Sequence, residues 1–128
     1  MRNRSINPHP KAKLKAEIEC HKYIVLRDRG ICFTCGSQGN QAGHFKHGKL
    51  DLDERNLHCQ CYICNVVKNG NLKVYEEKLT RLYGQEWVDK LILDSNTMSN
   101  KFSIDELDQI YEKYKNKIKN IPFTNSFF

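Results

Sequence analysis

Two Cys-x-x-Cys pairs, Cys32-Phe33-Thr34-Cys35 and Cys61-Tyr62-Ile63-Cys64, constrain this chain more than any other feature. Each spacing lets two thiolates reach one ion, and two pairs complete the tetrahedral four-sulfur shell of a structural zinc. Such an ion ties together segments separated by 25 residues. It contributes about 10–16 kcal/mol of apparent binding free energy, which matters in a chain of 128 residues whose single modest core has limited reach. A redox Cys-x-x-Cys explains one pair and leaves the other over, and buried apolar cysteines are the third reading. Cys59, two residues before Cys61, would face the same side of a strand and stands as a substitute ligand. Cys20 is expected to pack.

Disulfides are the rival use of six cysteines. No apolar run is longer than Tyr23-Ile24-Val25-Leu26, and no apolar segment of a secretory leader follows Met1-Arg2-Asn3-Arg4. The expectation is a reducing compartment, no membrane span and cysteines used as metal ligands.

The net charge of +6 is uneven: residues 1–31 carry +5, residues 32–70 carry +1 and residues 71–128 balance. The basic residues of the first segment, Arg2, Arg4, Lys11, Lys13, Lys15, Lys22, Arg27 and Arg29, form an arm suited to a polyanion. A solvated helix face is the plain alternative.

Residues 1–10, with Pro8 and Pro10, read as a flexible lead-in, and residues 122–128 as a tail. Between them, residues 11–121 read as one domain of α+β class. A basic helix occupies 11–29, with Leu14, Ile18, His21 and Val25 on one face and Gly30 as its stop. Residues 31–71 form a metal-supported core: a knuckle, a short strand, a loop, a second short strand and a helix starting near Cys61 or Tyr62. Residues 72–121 return to helix. Leu72, Tyr75, Leu79 and Leu82 make one stripe, Trp87, Leu91 and Ile92 a short second piece, and Ser103-Ile104-Asp105-Glu106 a capping box. The last helix carries Ile104, Leu107, Tyr111, Tyr114, Ile118 and Ile121, and Pro122 ends it.

The central stretch orders its polar residues as Gly43-His44-Phe45, then Asn56-Leu57-His58-Cys59-Gln60-Cys61, then Cys64-Asn65 and Lys68-Asn69-Gly70-Asn71. This order resembles the zinc-supported HNH, or His-Me finger, nuclease motif. The fuller string, with Tyr75 and Leu79 after it, closely resembles the NinG/Rap family of lambdoid phages, recombination endonucleases that act on branched DNA. The resemblance runs from about Ile31 to Tyr114. It implies a zinc-stabilised ββα unit flanked by an N-terminal helix and C-terminal helices. It also implies a phage-encoded protein working in the host cytoplasm on Holliday junctions or D-loops.

The chemistry asks for these residue types. A phosphodiester is anionic and resists hydroxide, so an enzyme must make a nucleophile and neutralise developing charge. A neutral imidazole can take a proton from water near pH 7, which suits His44 as general base. A divalent cation, Mg²⁺ or Mn²⁺, can neutralise the phosphorane and the leaving oxygen. A closed four-sulfur zinc has no open position for this, so the catalytic ion is separate from the one at Cys32, Cys35, Cys61 and Cys64. Asn65 offers that ion a carbonyl oxygen, and His58 is a second candidate ligand or phosphate contact. Asn56 resembles the middle residue of the family motif, which implies a role in orienting the imidazole or pinning the loop. Arg55, Lys68, Lys46, His47, Arg27 and Arg29 are candidate DNA contacts.

Many HNH enzymes carry a metal-binding Asp immediately before the catalytic His, where this chain has Gly43. His58, Asp51 or Asp53 is then the candidate replacement. Two other functions fit fewer of these residues. One is a zinc-stabilised DNA-binding module without catalysis. The other is a zinc-held protein-interaction domain using the C-terminal helices. A two-fold branched substrate would suit a homodimer.

Overall fold

A computed structural model describes residues 9–48 and 50–122. Two short antiparallel strands, β1 (Gln41–His44) and β2 (Leu57–Gln60), sit between two helical layers. Their register pairs Gln41 with Gln60, Ala42 with Cys59, Gly43 with His58 and His44 with Leu57. Side chains alternate across this ribbon, so Gln41, Gly43, His58 and Gln60 share one face and Ala42, His44, Leu57 and Cys59 the other. The α+β class expected from the sequence is what folds. Strand, loop, strand and a helical turn follow in the expected order.

Helix α1 spans Pro10–Arg27, with proline in its first turn, where a missing N–H costs nothing. Pro10 therefore belongs to the helix and not to the lead-in, most of which lies outside the described residues. The residues after α1 turn back sharply, with Arg29 and Gly30 in the left-handed region at φ 60° and 66°. The buried face of α1 is Ala16, Cys20 and Ile24. The stripe read from the sequence fails here, because Leu14 and Ile18 are 57% and 48% exposed. Small side chains on the inner face let helix α4 (Ile104–Lys119) lie close. Leu107 and Tyr114 of α4 complete that core with Leu52 and Leu57. The Tyr114 hydroxyl donates to the Leu52 carbonyl at 2.9 Å. The capping box forms as read: Ser103 Oγ accepts from the Glu106 N–H at 3.1 Å, and Glu106 Oε1 accepts from the Ser103 N–H at 2.8 Å.

The opposite face of the ribbon meets helix α2 (Leu72–Tyr83) and, beyond Gly84 at φ 96°, helix α3 (Gln85–Thr97). Phe45, Leu50, Tyr75, Leu79, Val88 and Leu91 form this second core. Tyr75 and Leu79 are buried as their spacing predicted, while Leu72 and Leu82 at the ends of the stripe are exposed. Helix α3 is longer than the short piece expected. The helix after Cys61 is instead a single π-helical turn, Ile63–Val67, capped at Lys68 and followed by Asn69 and Gly70 at φ 50° and 96°.

The first layer is latched to the ribbon by charge. Arg27 donates to the Leu57 carbonyl at 2.6 Å and to both oxygens of Asp28 at 2.8 and 3.0 Å. Asp28 Oδ2 accepts from the Cys59 N–H at 2.8 Å. Cys59 is thereby held in the strand, and Cys20 packs under α4 as expected.

Candidate functional site

The four paired cysteines converge. Their sulfur atoms all lie within 4.8 Å of one another, and Cys35 Sγ and Cys61 Sγ are 3.7 Å apart. Tetrahedral zinc–sulfur bonds of about 2.3 Å put sulfurs about 3.8 Å apart, so the donor set fits such an ion. Cys59 is outside the group, and all six cysteines are free thiols. Donors surround the sulfurs: the Cys64 N–H reaches Cys61 Sγ at 3.4 Å, and Asn71 Nδ2 reaches Cys64 Sγ at 3.5 Å. Burial opposes ionisation of Cys32. The Thr34 hydroxyl and the backbone at Cys61, Cys35 and Thr34 outweigh it and bring the thiol down to about 6. Cys64 is pushed up to about 11 by burial. These four cysteines can hold a metal such as zinc, and Asn65 follows directly from the fourth of them.

Asn56 ends a 3₁₀ turn (Glu54–Asn56) and is fully buried. Its Oδ1 accepts from the Lys46 N–H at 2.8 Å, and its Nδ2 donates to the Lys46 and Leu50 carbonyls at 2.7 and 3.1 Å. Of the two roles read for it, this is loop pinning. The loop so closed begins one residue after His44.

His44 ends β1 on the α1 side. Its Nε2 is buried without a hydrogen-bond partner and stands 3.8 Å from Asp51 Oδ1. Burial pushes its pKa down, the Asp51 carboxylate pulls it back up, and His21 and His47 lower it further. The ring is neutral at pH 7, as a proton acceptor must be.

Asn65 approaches the same strand from the other face. Its Nδ2 donates to Gln41 Oε1 at 2.9 Å, leaving its carbonyl oxygen outside that bond. Gln41 and His44 are three residues apart, about 10 Å along a strand. The imidazole and the amide therefore flank one short strand, reaching it from opposite faces.

His58 is a core residue. It is 4% exposed, with its ring centre 4.1 Å from that of Phe33 at a tilt of 31° and Nδ1 3.2 Å from the Tyr75 hydroxyl. Burial, with Arg27 adding to it, pushes its pKa down to about 4. It lies on the ribbon face away from His44, the face that Asn65 also reaches, and its burial there keeps it from a phosphate. Strand alternation predicts that separation, but the sequence alone does not say which face is covered.

Two arginines expected at DNA, both partly exposed, are taken up by partners within the chain. Arg27 is the latch already described. Arg55 donates to Asp53 at 2.7 Å and to Asp94 of α3 at 2.7 Å, which also occupies Asp53. The basic arm is thinned in the same way: Lys13 pairs with Asp51 at 3.0 Å, and Lys15 lies 4.4 Å over the Tyr111 ring. Arg29, His47 and Lys68 are exposed and Lys46 half-buried. Arg2 and Arg4 lie outside the described residues.

Gly43 has a steric cause. Gln60 donates to the Gly70 carbonyl at 2.9 Å and to Thr34 Oγ1 at 3.0 Å. That places its Oε1 where a Cβ on residue 43 would stand. Oε1 is buried and has no hydrogen-bond partner. An aspartate cannot occupy position 43 while Gln60 holds this place. Gln60 and Gln41 were missed as site residues; the one available signal was their shared strand face with Gly43.

No helix among the described residues is long and apolar enough to cross a membrane. No solved structure matches the chain. The family model described as Bacteriophage Lambda NinG protein matches residues 1–122. The chain is 34% identical over 120 residues to Protein ninG of Escherichia phage 933W, covering 88% of this chain and 59% of that protein. It is 33% identical to Protein ninG of Escherichia phage lambda and 31% identical to that of Salmonella phage P22, each across 88% of this chain and 58% of the relative. It thus spans a little under three-fifths of the length of these relatives. By the extent of these matches, the chain belongs to the NinG family of lambdoid phages.

Proposed function

We propose that this chain is a divalent-metal-dependent DNA endonuclease of the HNH, or His-Me finger, type, acting on branched recombination intermediates. One observation carries the reading. The buried Asn56 amide closes the loop immediately after His44, and the His44 imidazole is left neutral with an unused Nε2. Proton removal from an attacking water requires a pinned, neutral imidazole, and here it also requires the buried Nε2 to be uncovered as DNA binds.

The cysteine cluster supports the same reading, because it fixes the start of the turn that carries Asn65. Asn65 and Gln41 bring amide oxygens to the Gly43 face of β1, a donor type that suits Mg²⁺ or Mn²⁺; because His44 lies on the other face, bringing both to one phosphodiester requires a rearrangement about this strand. Such an ion, when bound, offsets negative charge developing on the phosphate. His44 holds and moves the proton. Lys46, His47, Lys68 and Arg29 meet flanking phosphates, with Arg27 and Arg55 supporting the frame. Preference for branched DNA follows from the family resemblance.

The test uses supercoiled plasmid, a linear duplex and a four-way junction of the same sequence, incubated with Mg²⁺ or Mn²⁺ and with EDTA. Ion-dependent cutting, fastest on the junction, is expected. Binding to all three with no cut in any of them would establish the non-catalytic DNA-binding module instead.

A further inference from the structure

Helix α2 carries two cations that the site around His44 does not use. Lys78 and Arg81 are three residues apart and share a helix face. Arg81 is exposed and Lys78 half-buried, and among the described residues neither makes an ion pair. Both line one cavity of about 490 Å³ together with Phe33, Leu82 and Tyr83. Leu82 and Tyr83 are 63% and 48% exposed, so the end of this helix presents apolar and aromatic surface beside its cations. Trp87 covers one side of the Tyr83 ring, stacked at 4.3 Å and 24°. On the other side of Tyr83 the rings continue, with His58 at 6.5 Å and Phe33 4.1 Å from His58.

The charge at this cavity is positive. Among the described residues its lining holds one carboxylate, Asp28. Arg27 takes both oxygens of Asp28, and the Cys59 N–H donates to Oδ2 as well, so that charge is offset within the fold. Lys73 of the same helix lies elsewhere, around a different cavity with Glu76 and Glu77. Cations next to exposed rings suit a ligand that is both anionic and flat. A nucleotide has that chemistry: its base stacks on an aromatic ring, and its phosphate meets the cations. Bases within a duplex are stacked on one another, so a ring takes up a base only when that base is unpaired.

We propose that this cavity binds an unpaired nucleotide of a DNA strand, with the base against Tyr83 and the phosphate held by Lys78 and Arg81. DNA as the polymer rests on the nuclease reading, whereas the unpaired nucleotide rests on the rings and cations themselves. The cavity is fixed to the frame of the proposed catalytic site. Cys32 and Gly36 of the first cysteine pair's turn also line it, and the Phe33 N–H donates to the Cys59 carbonyl of β2 at 2.7 Å. Stacking tolerates every base, so this site holds a strand without reading its sequence.

Trp87 is the single tryptophan of the chain and is stacked on Tyr83, so its fluorescence reports on this site. The test titrates the full chain, without added Mg²⁺ or Mn²⁺, with a single-stranded DNA oligomer and with its blunt duplex. The strand is expected to quench Trp87 emission and the duplex to leave it nearly unchanged. Affinity for the strand, measured by anisotropy, is expected to fall about fivefold or more in Tyr83→Ala and to be kept in Tyr83→Phe, which retains the ring. Arg81→Gln is expected to lower the slope of log affinity against log salt by about 0.7. Lys73→Gln, the same charge change on the same helix, is expected to leave that slope as it is. Parental affinity in Tyr83→Ala overturns the site, as does equal quenching by strand and duplex, or an equal change of slope in Arg81→Gln and Lys73→Gln. Displacement of the strand by an acidic peptide at equal charge, or by thymidine monophosphate at equal nucleotide concentration, also overturns it, in favour of a protein or a free nucleotide. Quenching by the strand in a protein that cuts no DNA keeps the site and removes the nuclease. A protein that cuts DNA with no response from Trp87 does the reverse.

Discussion

The side-chain amide of Gln60 occupies the space that a side chain on Gly43 would need, one strand across the ribbon. Gln60 cannot easily withdraw, because its Nε2 bonds the Gly70 carbonyl and Thr34 Oγ1. Through these bonds it joins β2 to both cysteine-bearing segments. Gly43→Ala is therefore expected to cost about 2 kcal/mol by overpacking, readable as a lower urea midpoint with an unchanged slope. An alanine variant as stable as the parent would show that the amide moves freely.

Asn56 has the opposite character, a polar side chain whose every bond is internal. Asn56→Ala leaves the Lys46 N–H and the Lys46 and Leu50 carbonyls without their partner. Buried unsatisfied groups of this kind cost about 1–3 kcal/mol each before relaxation. A loss on the order of 3 kcal/mol is expected in chemical denaturation, together with faster amide exchange at residues 45–48 and 50–55.

His58 predicts how stability depends on pH. Its folded pKa is about 4, below the ordinary value of about 6.5 for an unfolded chain. The unfolded chain therefore binds the proton more readily between those values. Stability contributed by neutral His58 is fully present above about pH 6.5 and is lost as pH falls toward 4. Between pH 7 and 4.5 the loss is on the order of 2–3 kcal/mol. His58→Phe keeps an aromatic ring against Phe33 and removes the titration. Its stability should fall less over that interval than the parent's, measured by urea denaturation at both pH values.

Helix α1 shows where sequence reading stopped. Periodicity located the helix, yet the large residues Leu14 and Ile18 suggested the wrong face. Packing against α4 favours the small Ala16 and Cys20, and hydrophobicity alone does not register closeness of approach. The sharper test is Ala16→Leu, expected to cost about 2 kcal/mol, against Leu14→Ser, expected to change stability by less than about 0.5 kcal/mol.

The site was legible in the same uneven way. The cysteine spacing anticipated the cluster because two residues between ligands leave few geometries. Asn56 was legible only through the family resemblance, as an orienter of the imidazole or a loop pin, and its bonds to Lys46 and Leu50 are those of the second. The fates of Arg27, Arg55 and His58 were not, because each depends on a partner distant in sequence. Arg27 reaches Leu57, Arg55 reaches Asp94, and His58 meets Phe33 and Tyr75. A charge count sees the arginines as free, and only the folded chain shows the carboxylates and carbonyls that hold them.

Removing the ion expected at the cysteines has a distinct signature. Cys32→Ser, or prolonged chelation, is expected to abolish bound zinc and broaden the thermal transition, with the β1–β2 ribbon losing amide protection first. Intact zinc content and melting in Cys32→Ser would show that the four sulfurs do not act together.

The nuclease reading turns on His44. The most direct measurement compares the initial rate of plasmid nicking in Mg²⁺ or Mn²⁺ by the parent protein and by His44→Ala, with folding of both checked by circular dichroism. The account predicts ion-dependent nicking by the parent and a fall of about a hundredfold or more in a folded variant. Equal rates in the two proteins, or a parent that binds DNA and never nicks it, would contradict it.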